Sequence, residues 1–390
     1  MSIASMQHWI LPENISDVLP PEARRIEFLR RKLLDCCSRF GYELVMPPLL
    51  EYVESLFTLE DAALDLKTFK LTDQLSGRQM GLRADITPQV ARIDAHLLNR
   101  HGVTRLCYAG SIVNTRPDGI LSSREPLQVG AELYGHDGLT ADVEIIELMH
   151  SCLKLAGVES IHLDVGHIGL FLALADEAEL SGDLRQAIFN AMQKKNLPEL
   201  ATLTAHLPET IRKGITSLPQ LYGGVGVLHD AARLLPDFPQ IRSALSDLQL
   251  LSEALQLLGI EVFFDLAELR SGYYHTGLVF AAYAPGWSNA IARGGRYDRV
   301  GEKFGRPRPA TGFSVDLKEL AWKLPPPPAR PAILSPDCID PALIELTRSL
   351  RASGETVVVK LGDVMDVDEL KADREIRQVA DKWIVVPIDV

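Results

Sequence analysis

The spacing of apolar residues divides the N-terminal part of the chain into helical and extended segments. Between Pro21 and Phe40 the apolar residues recur at helical intervals, and proline is tolerated in the first turn of a helix. This pattern predicts one helix, which Gly41 ends. A strand is predicted at 42–46, where the chain runs into two prolines.

Two pairs of strands are predicted next along the chain. Residues 69–73 and 79–83 flank a Ser-Gly turn, which is typical of a hairpin. Residues 106–110 and 127–135 are extended segments with a polar loop between them. The first half of the chain therefore predicts an antiparallel sheet.

The middle of the chain is mainly helical. A helix is predicted at 140–156, with Thr140 as its N-cap, and a strand at 161–165. The Leu- and Ala-rich stretch 168–258 has helical spacing throughout, and 261–265 returns to a strand.

The end of the chain predicts a small α/β appendix after a proline-rich linker at 323–328. Asp340 and Pro341 are placed as the cap and first residue of a helix. Strands are predicted at 332–334, 356–360 and 383–386.

These elements predict an α+β fold in which helices flank an antiparallel sheet. Residues 1–167 and 259–322 form a discontinuous core domain, 168–258 a helical insertion and 329–390 a small C-terminal domain. A length of 390 residues is sufficient for these parts.

Composition narrows the classes of function. Lys and Arg total 40 against 52 for Asp and Glu, so the net charge of −12 disfavours a broad nucleic-acid surface, although a local basic patch remains possible. Five cysteines without a C-x-x-C pair predict reduced thiols in the cytoplasm. We expect no signal peptide, membrane span or cofactor. His162 and His167 lack metal-ligand spacing, so no metal site is expected.

Two groups of polar residues are candidates for binding chemistry. Asp85 and Thr87 follow a predicted strand, where they could accept hydrogen bonds from an ammonium group or cap the next helix. Gln128, Gly130 and Glu132 share one face of their strand, because side chains alternate along a strand. That face could hold a small polar ligand or be a solvated sheet face.

A longer pattern gives these candidates a context. Arg270 is followed by Tyr274-His275-Thr276-Gly277, by the Gly-Gly-Arg-Tyr-Asp run at 294–298 and by 309–313. This order resembles the third signature motif of class II aminoacyl-tRNA synthetases, in its histidyl-tRNA synthetase form. The helix and strand before Pro47 are similar to motif 1, which makes the dimer interface in that class, and the strand pair around 106–135 is similar to motif 2.

Parts of the synthetase pattern are missing. The motif 2 arginine that grips ATP is replaced by Asn114, and Glu319 stands where the motif 3 arginine is expected. An acidic side chain beside a triphosphate is repulsive. The C-terminal appendix is shorter than the anticodon-binding domain of histidyl-tRNA synthetases. We therefore expect no aminoacylation and no catalytic residue.

A histidine-binding core without these parts resembles the ATP phosphoribosyltransferase regulatory subunit family, a synthetase paralogue in histidine biosynthesis. The resemblance is carried by 66–89, 123–135 and 274–277. It implies a non-catalytic allosteric subunit that activates a short-form catalytic subunit and binds histidine for feedback inhibition. It also implies a homodimer within a hetero-oligomer, a hetero-octamer, in the cytoplasm, with no nucleic-acid or membrane partner.

The resemblance also implies a histidine-binding site. Asp85 and Thr87 would hold the ammonium group, Arg270 with Gln128 the carboxylate, and Glu132 the imidazole. The full set is Asp85, Thr87, Gln128, Glu132, Arg270, Tyr274 and His275. An ion pair of Arg270 with Glu268 or Asp265 is the alternative for that residue. A histidyl-tRNA synthetase and a free-standing histidine sensor remain the alternative functions.

Overall fold

The structure, a computed structural model, describes residues 10–56, 62–117, 119, 122–268, 275–324, 331–361 and 371–388. The chain divides into two compact units, residues 1–325 and 326–390. No helix in the described part of the chain is long and apolar enough to cross a membrane.

The first half of the larger unit alternates helices and strands. Its elements are α1 (Pro20–Arg39), β1 (Glu43–Leu44), β2 (Leu50–Tyr52), α2 (Val53–Leu56), α3 (Ala62–Lys67), β3 (Phe69–Thr72), β4 (Gln79–Leu82), α4 (Thr87–Arg92), a π-helical segment (Ile93–Leu98), β5 (Thr104–Ser111), β6 (Leu127–Tyr134), α5 (Leu139–Ala156) and β7 (His162–His167).

The second half of this unit contains a run of helices and then the last strands of the sheet. Its elements are α6 (Ile168–Glu177), α7 (Gly182–Gln193), α8 (Leu197–Leu203), α9 (Glu209–Ser217), a 3-10 turn (Leu218–Gln220), β8 (Tyr222–Gly223), α10 (Gly226–Leu234), α11 (Pro239–Leu257), β9 (Val262–Asp265), β10 (Leu278–Tyr283), β11 (Ala292–Arg296), a 3-10 turn (Val300–Phe304), β12 (Ala310–Asp316) and α12 (Leu317–Lys323).

A nine-stranded sheet organises this unit, in the order β1-β5-β6-β12-β11-β10-β7-β9-β8. Its pairs are antiparallel except β1 with β5 and β7 with β9, which are parallel. A separate three-stranded sheet, β2-β4-β3, contains the predicted hairpin of 69–73 and 79–83. The predicted α+β class is confirmed.

The two faces of β6 have different partners, as its alternation predicted. Val129, Ala131 and Leu133 are buried in one apolar core with α1 and α5, to which Leu33 and Ile145 contribute. Burial of such side chains contributes about 1.5–3 kcal/mol each to stability. The other face of β6 carries Gln128, Gly130 and Glu132, so the sheet separates the core from a polar face.

One predicted helix start is wrong in detail. Helix α5 begins at Leu139 with Gly138 as its N-cap, and no side chain caps it, so Thr140 is not the cap. The predicted end is confirmed, because Gly157 at the C-cap adopts a φ of 100°, in the left-handed region that favours glycine. Helices α6–α11 lie in the same compact unit as the sheet. A separate insertion at 168–258 therefore stays a prediction.

The smaller unit is an α/β layer. Its elements are β13 (Ala332–Ser335), α13 (Pro341–Ala352), β14 (Thr356–Val359), β15 (Arg374–Val379) and β16 (Lys382–Pro387), with sheet order β14-β13-β15-β16. Asp340 caps α13 by accepting from the backbone nitrogens of Ala342 and Leu343 at 2.8 and 3.0 Å, as predicted. The sequence interpretation missed β15.

Candidate functional site

Glycines lie beneath the functional side chains on the polar face of the nine-stranded sheet, which is called the glycine-paved face or site below. Gly295 on β11 is paired with Gly312 on β12, and Gly312 with Glu132 on β6, so the three residues lie side by side on one face. A Cβ at 312 would collide with the Glu132 carboxylate, and one at 130 would collide with the Tyr108 hydroxyl. Glycine is required here because the functional side chains lie directly over the backbone.

Glu132 is the centre of this face, and its side chain is buried. Its Oε1 accepts hydrogen bonds from Thr87 Oγ1 and Tyr108 OH, each at 3.0 Å, and its Oε2 accepts from Tyr297 OH. Burial raises the pKa of Glu132 to about 8, the three hydroxyls oppose that rise, and Asp85 adds to it. The carboxyl can therefore carry a proton near neutral pH.

The tyrosines around Glu132 remain protonated donors. Burial and the Glu132 charge raise the pKa values of Tyr108 and Tyr297 well above the ordinary value. Tyr297 also lies 3.3 Å from the hydroxyl of Tyr134. This network fixes the orientation of the carboxyl group in a water-poor site.

Asp85 and Gln128 form the second polar group of the site. Gln128 Nε2 donates to Asp85 Oδ1 at 2.9 Å, and the backbone nitrogen of Ile86 donates to Gln128 Oε1 at 3.0 Å. The backbone nitrogen of Thr87 also donates to Asp85 Oδ1, at 3.2 Å. Asp85 thus contacts the start of α4 and holds Gln128. The N-cap of α4 is Ile86, however, and no side chain caps this helix, so the capping alternative for Asp85 or Thr87 is wrong.

His275 closes one side of the site. It is buried and stands edge-on to Tyr297, with ring centroids 6.5 Å apart. Its ring packs over Gly295, where a Cβ would overlap it. Arg270 and Tyr274, the other two predicted residues from this stretch, lie outside the described residues.

The structure thus brings five of the predicted residues to one face: Asp85, Thr87, Gln128, Glu132 and His275. The sequence interpretation did not include Tyr108 and Tyr297. Tyr297 stands inside the Gly-Gly-Arg-Tyr-Asp run, and Tyr108 opposes Gly130 in the register of β5 and β6. The place of Tyr297 within that run was a signal in the sequence, whereas the place of Tyr108 depended on the register of the two strands.

The end of the face beside Gln128 is acidic. Asp316 is the register partner of Gln128, and it accepts from the backbone nitrogen of Lys318 at 2.9 Å. Burial and Asp316 raise the pKa of the half-buried Glu319, while Lys318 pairs with Glu125 at 3.4 Å. This local charge opposes a triphosphate.

The arginine of the Gly-Gly-Arg-Tyr-Asp run supports the fold. Arg296 is buried and donates to Asp142 Oδ2 from Nε at 3.1 Å and from Nη2 at 2.7 Å. It also donates to the carbonyl oxygens of His136 and Gly138. These bonds join β11 to the start of α5.

Among the described residues, no group of three or more histidine, cysteine or acidic side chains could hold a metal ion. His162 lies 2.8 Å from Asp164, and Nδ1 of His167 accepts from the backbone of Gly169. Both histidines therefore have structural contacts.

The fold and the glycine-paved site define a protein of the histidyl-tRNA synthetase type. A family model described as histidyl-tRNA synthetase matches residues 14–320. The crystal structure of histidyl-tRNA synthetase from Nostoc sp. PCC 7120 has the same fold, with a TM-score of 0.77 at 17% identity over 97% of each chain.

The C-terminal unit and the full-length relatives identify the family. A model described as the ATP phosphoribosyltransferase subunit HisZ C-terminal domain matches residues 330–386. The ATP phosphoribosyltransferase regulatory subunit of Ralstonia nicotianae is 54% identical over 98% of this chain and 99% of its own. That of Cupriavidus taiwanensis is 54% identical over 97% and 99%. The chain belongs to the ATP phosphoribosyltransferase regulatory subunit family.

A solved structure agrees with this assignment. The Bacillus halodurans protein described as an ATP phosphoribosyltransferase regulatory subunit/histidyl-tRNA synthetase has a TM-score of 0.80 and 30% identity, covering 93% of this chain and 95% of its own. The chain is therefore a non-catalytic regulatory subunit in histidine biosynthesis, as the sequence predicted.

Proposed function

We propose that the chain activates a separate catalytic subunit of ATP phosphoribosyltransferase and that its glycine-paved site binds free histidine as a feedback inhibitor. The observation that carries the histidine assignment is Glu132, a buried carboxyl oriented by three hydroxyl groups. Because its pKa lies near 8, it can accept from or donate to an imidazole nitrogen.

The other predicted residues suit the two charged ends of an amino acid. Asp85 and Thr87 would hold the ammonium group, and Gln128 would bind the carboxylate together with Arg270. Tyr274 and His275 would complete the pocket around the ring. A free histidine would then be recognised at its backbone and at its side chain by different elements.

The residues at the expected ATP-binding positions distinguish this function from that of a synthetase. Asn114 is buried, and its backbone nitrogen donates to the carbonyl oxygen of Arg124 at 2.7 Å. Its neutral amide cannot neutralise a phosphate as an arginine would, and Glu319 opposes a phosphate. ATP-dependent pyrophosphate exchange with histidine tests the synthetase alternative, and we expect none.

We further propose a homodimer within a hetero-octamer in the cytoplasm. An exposed apolar run after α1, Leu44, Met46, Leu49 and Leu50, supports a subunit contact on this side, because each side chain is 41–76% exposed. The isolated chain should be dimeric in small-angle scattering. A monomer at micromolar concentration would contradict the proposal.

Reconstitution tests the main proposal. The chain is mixed with the short-form catalytic subunit of the same organism, and phosphoribosyl-ATP formation is followed with and without histidine. Activity should rise in the mixture and fall when histidine is added. Activity that does not respond to the chain, with a folded catalytic subunit, would overturn the proposal.

A further inference from the structure

A groove runs between α6 and α11, and its described lining residues include none of the predicted histidine-site residues. Side chains at helical spacing line it from α6, with Leu172 and Asp176, and from α11, with Gln240 and Asp247. Its volume is about 490 Å³, within the range of about 300–1,000 Å³ for small-molecule sites. The term α6–α11 groove is used for this cavity.

His167 lines the α6–α11 groove and offers it a hydrogen-bond donor. Nδ1 of His167 accepts from the backbone nitrogen of Gly169 at 3.1 Å, so the hydrogen of the neutral ring is on Nε2. Nε2 lies 3.8 Å from Oδ2 of Asp247, which is too far for a hydrogen bond. A guest group that both accepts and donates fits beside this pair, since it can accept from the ring and donate to the carboxylate.

Burial supports this arrangement. It lowers the pKa of His167 to about 4, so the ring is neutral near pH 7. The imidazole side chain is only 12% exposed. A guest oxygen would give Nε2 the hydrogen bond that Asp247 is too distant to make.

The charged residues at the far end of the groove from His167 indicate which chemical group of the guest lies there. Asp176 and Glu177 lie at the opposite end of α6 from His167, and none of the described lining residues is lysine or arginine. Asp176 pairs with Arg185 at 2.8 Å on the surface. Among the described residues at this end, the charge left unpaired is that of Glu177, which favours an ammonium group over an anion here.

Apolar side chains separate the two ends. Leu172, Ala173 and Ala244 line the middle of the groove and can pack against methylene groups. From Gly169 to Glu177 the helix rises about 12 Å. With a contact of about 3 Å at each end, the guest spans about 6–7 Å between its two polar groups.

We propose that the α6–α11 groove binds a small amino alcohol, with a hydroxyl group at His167 and Asp247, a short aliphatic chain along Leu172, and an ammonium group at Glu177. The hydroxyl accepts from His167 Nε2 and donates to Asp247. The described residues that line this groove are distinct from the proposed histidine-site residues, and Thr276 of the groove is the chain neighbour of His275.

The proposal is tested by calorimetric titration of the full chain with 5-aminopentan-1-ol. Pentylamine lacks the hydroxyl group and pentan-1-ol lacks the ammonium group, so each should bind at least about tenfold more weakly, a loss of about 1.4 kcal/mol. No binding of 5-aminopentan-1-ol at about 10 mM, or equal binding of all three compounds, would overturn it.

Variants locate the site. Asp247→Asn and Glu177→Gln should each weaken 5-aminopentan-1-ol binding about tenfold, since one removes the acceptor and the other the negative charge. Asp230→Asn, on α10 in an exposed pair with Arg233, is the matched control and should bind as wild type. Thermal unfolding of each variant checks that it is folded. A loss in Asp230→Asn as large as in Asp247→Asn would show general charge attraction and overturn the site.

Discussion

Replacing Glu132 by glutamine should make the stability of the chain less dependent on pH. In the folded protein the pKa of Glu132 is raised from 4.5 to about 8, mainly by burial. The folded state therefore binds this proton more tightly than the unfolded state. Between these two pKa values, stability falls as the pH rises, because the unfolded chain releases the proton first.

The size of this effect follows from the shift. A pKa change from 4.5 to about 8 corresponds to about 5 kcal/mol when the carboxyl is ionised in the folded state. The cost is absent below about pH 4.5 and complete above about pH 8. Glutamine is neutral at every pH, and the hydroxyls of Thr87, Tyr108 and Tyr297 can still hydrogen-bond with its amide group.

Urea unfolding of wild type and Glu132→Gln at about pH 6 and about pH 8.5 measures the difference. Wild type should lose about 3 kcal/mol more than the variant between these two conditions. Glu253→Gln, on the exposed side of α11, is the control and should follow wild type. The same pH dependence in wild type and in Glu132→Gln would refute the raised pKa.

The same variant tests the histidine proposal separately. Glu132→Gln should weaken histidine binding by about 10- to 100-fold, because the amide cannot form a charged pair with an imidazolium ring, and a hydrogen bond between charged groups contributes about 1.5–3 kcal/mol. Calorimetric titration with histidine measures this loss. An unchanged affinity would place the imidazole elsewhere, and it would leave the stability prediction intact.

Three further substitutions test the packing of the site. Gly312→Ala should abolish histidine binding and also lower the stability of the chain, since the new methyl group meets both the Glu132 carboxyl and the backbone oxygen of Ala131. Calorimetry with histidine and urea unfolding measure the two effects. Tyr297→Phe should weaken histidine binding about fivefold, because one of the donors to Glu132 is lost, and titration would contradict this if the affinity rose. Arg296→Met should lower the free energy of unfolding in urea by about 3–5 kcal/mol, because it leaves Asp142 buried and unpaired. A loss below about 1 kcal/mol would rule out a stabilising role for the Arg296–Asp142 pair.

The sequence allowed the strands of the site to be predicted because the site is built on regular alternation. The spacing of Gln128, Gly130 and Glu132 put them on one face, and the register with β12 confirms it. Thr87 could be singled out because it follows a strand end. The network of Tyr108 could not be predicted, since its partner lies 24 residues away on a neighbouring strand.

The groove and the start of α5 depended on contacts between residues far apart in the sequence, which the local pattern of residues does not show. The α6–α11 groove arises from two helices that are separated along the chain, and only packing brings His167 within 3.8 Å of Asp247. The absence of a side-chain cap on α5 has a similar origin, since Gly138 occupies the N-cap position and its carbonyl oxygen accepts from Arg296. Propensity favoured Thr140, and the tertiary contact decided otherwise.

The sequence by itself determined the α+β class, the family and five residues of the polar face. Those features follow from periodicity and from the order of motifs, which can be recognised from the sequence alone. The tertiary structure decided the raised pKa of Glu132 and the role of Arg296 in joining β11 to α5. Both depend on burial and on partners distant in sequence, because desolvation and charge pairing act through space.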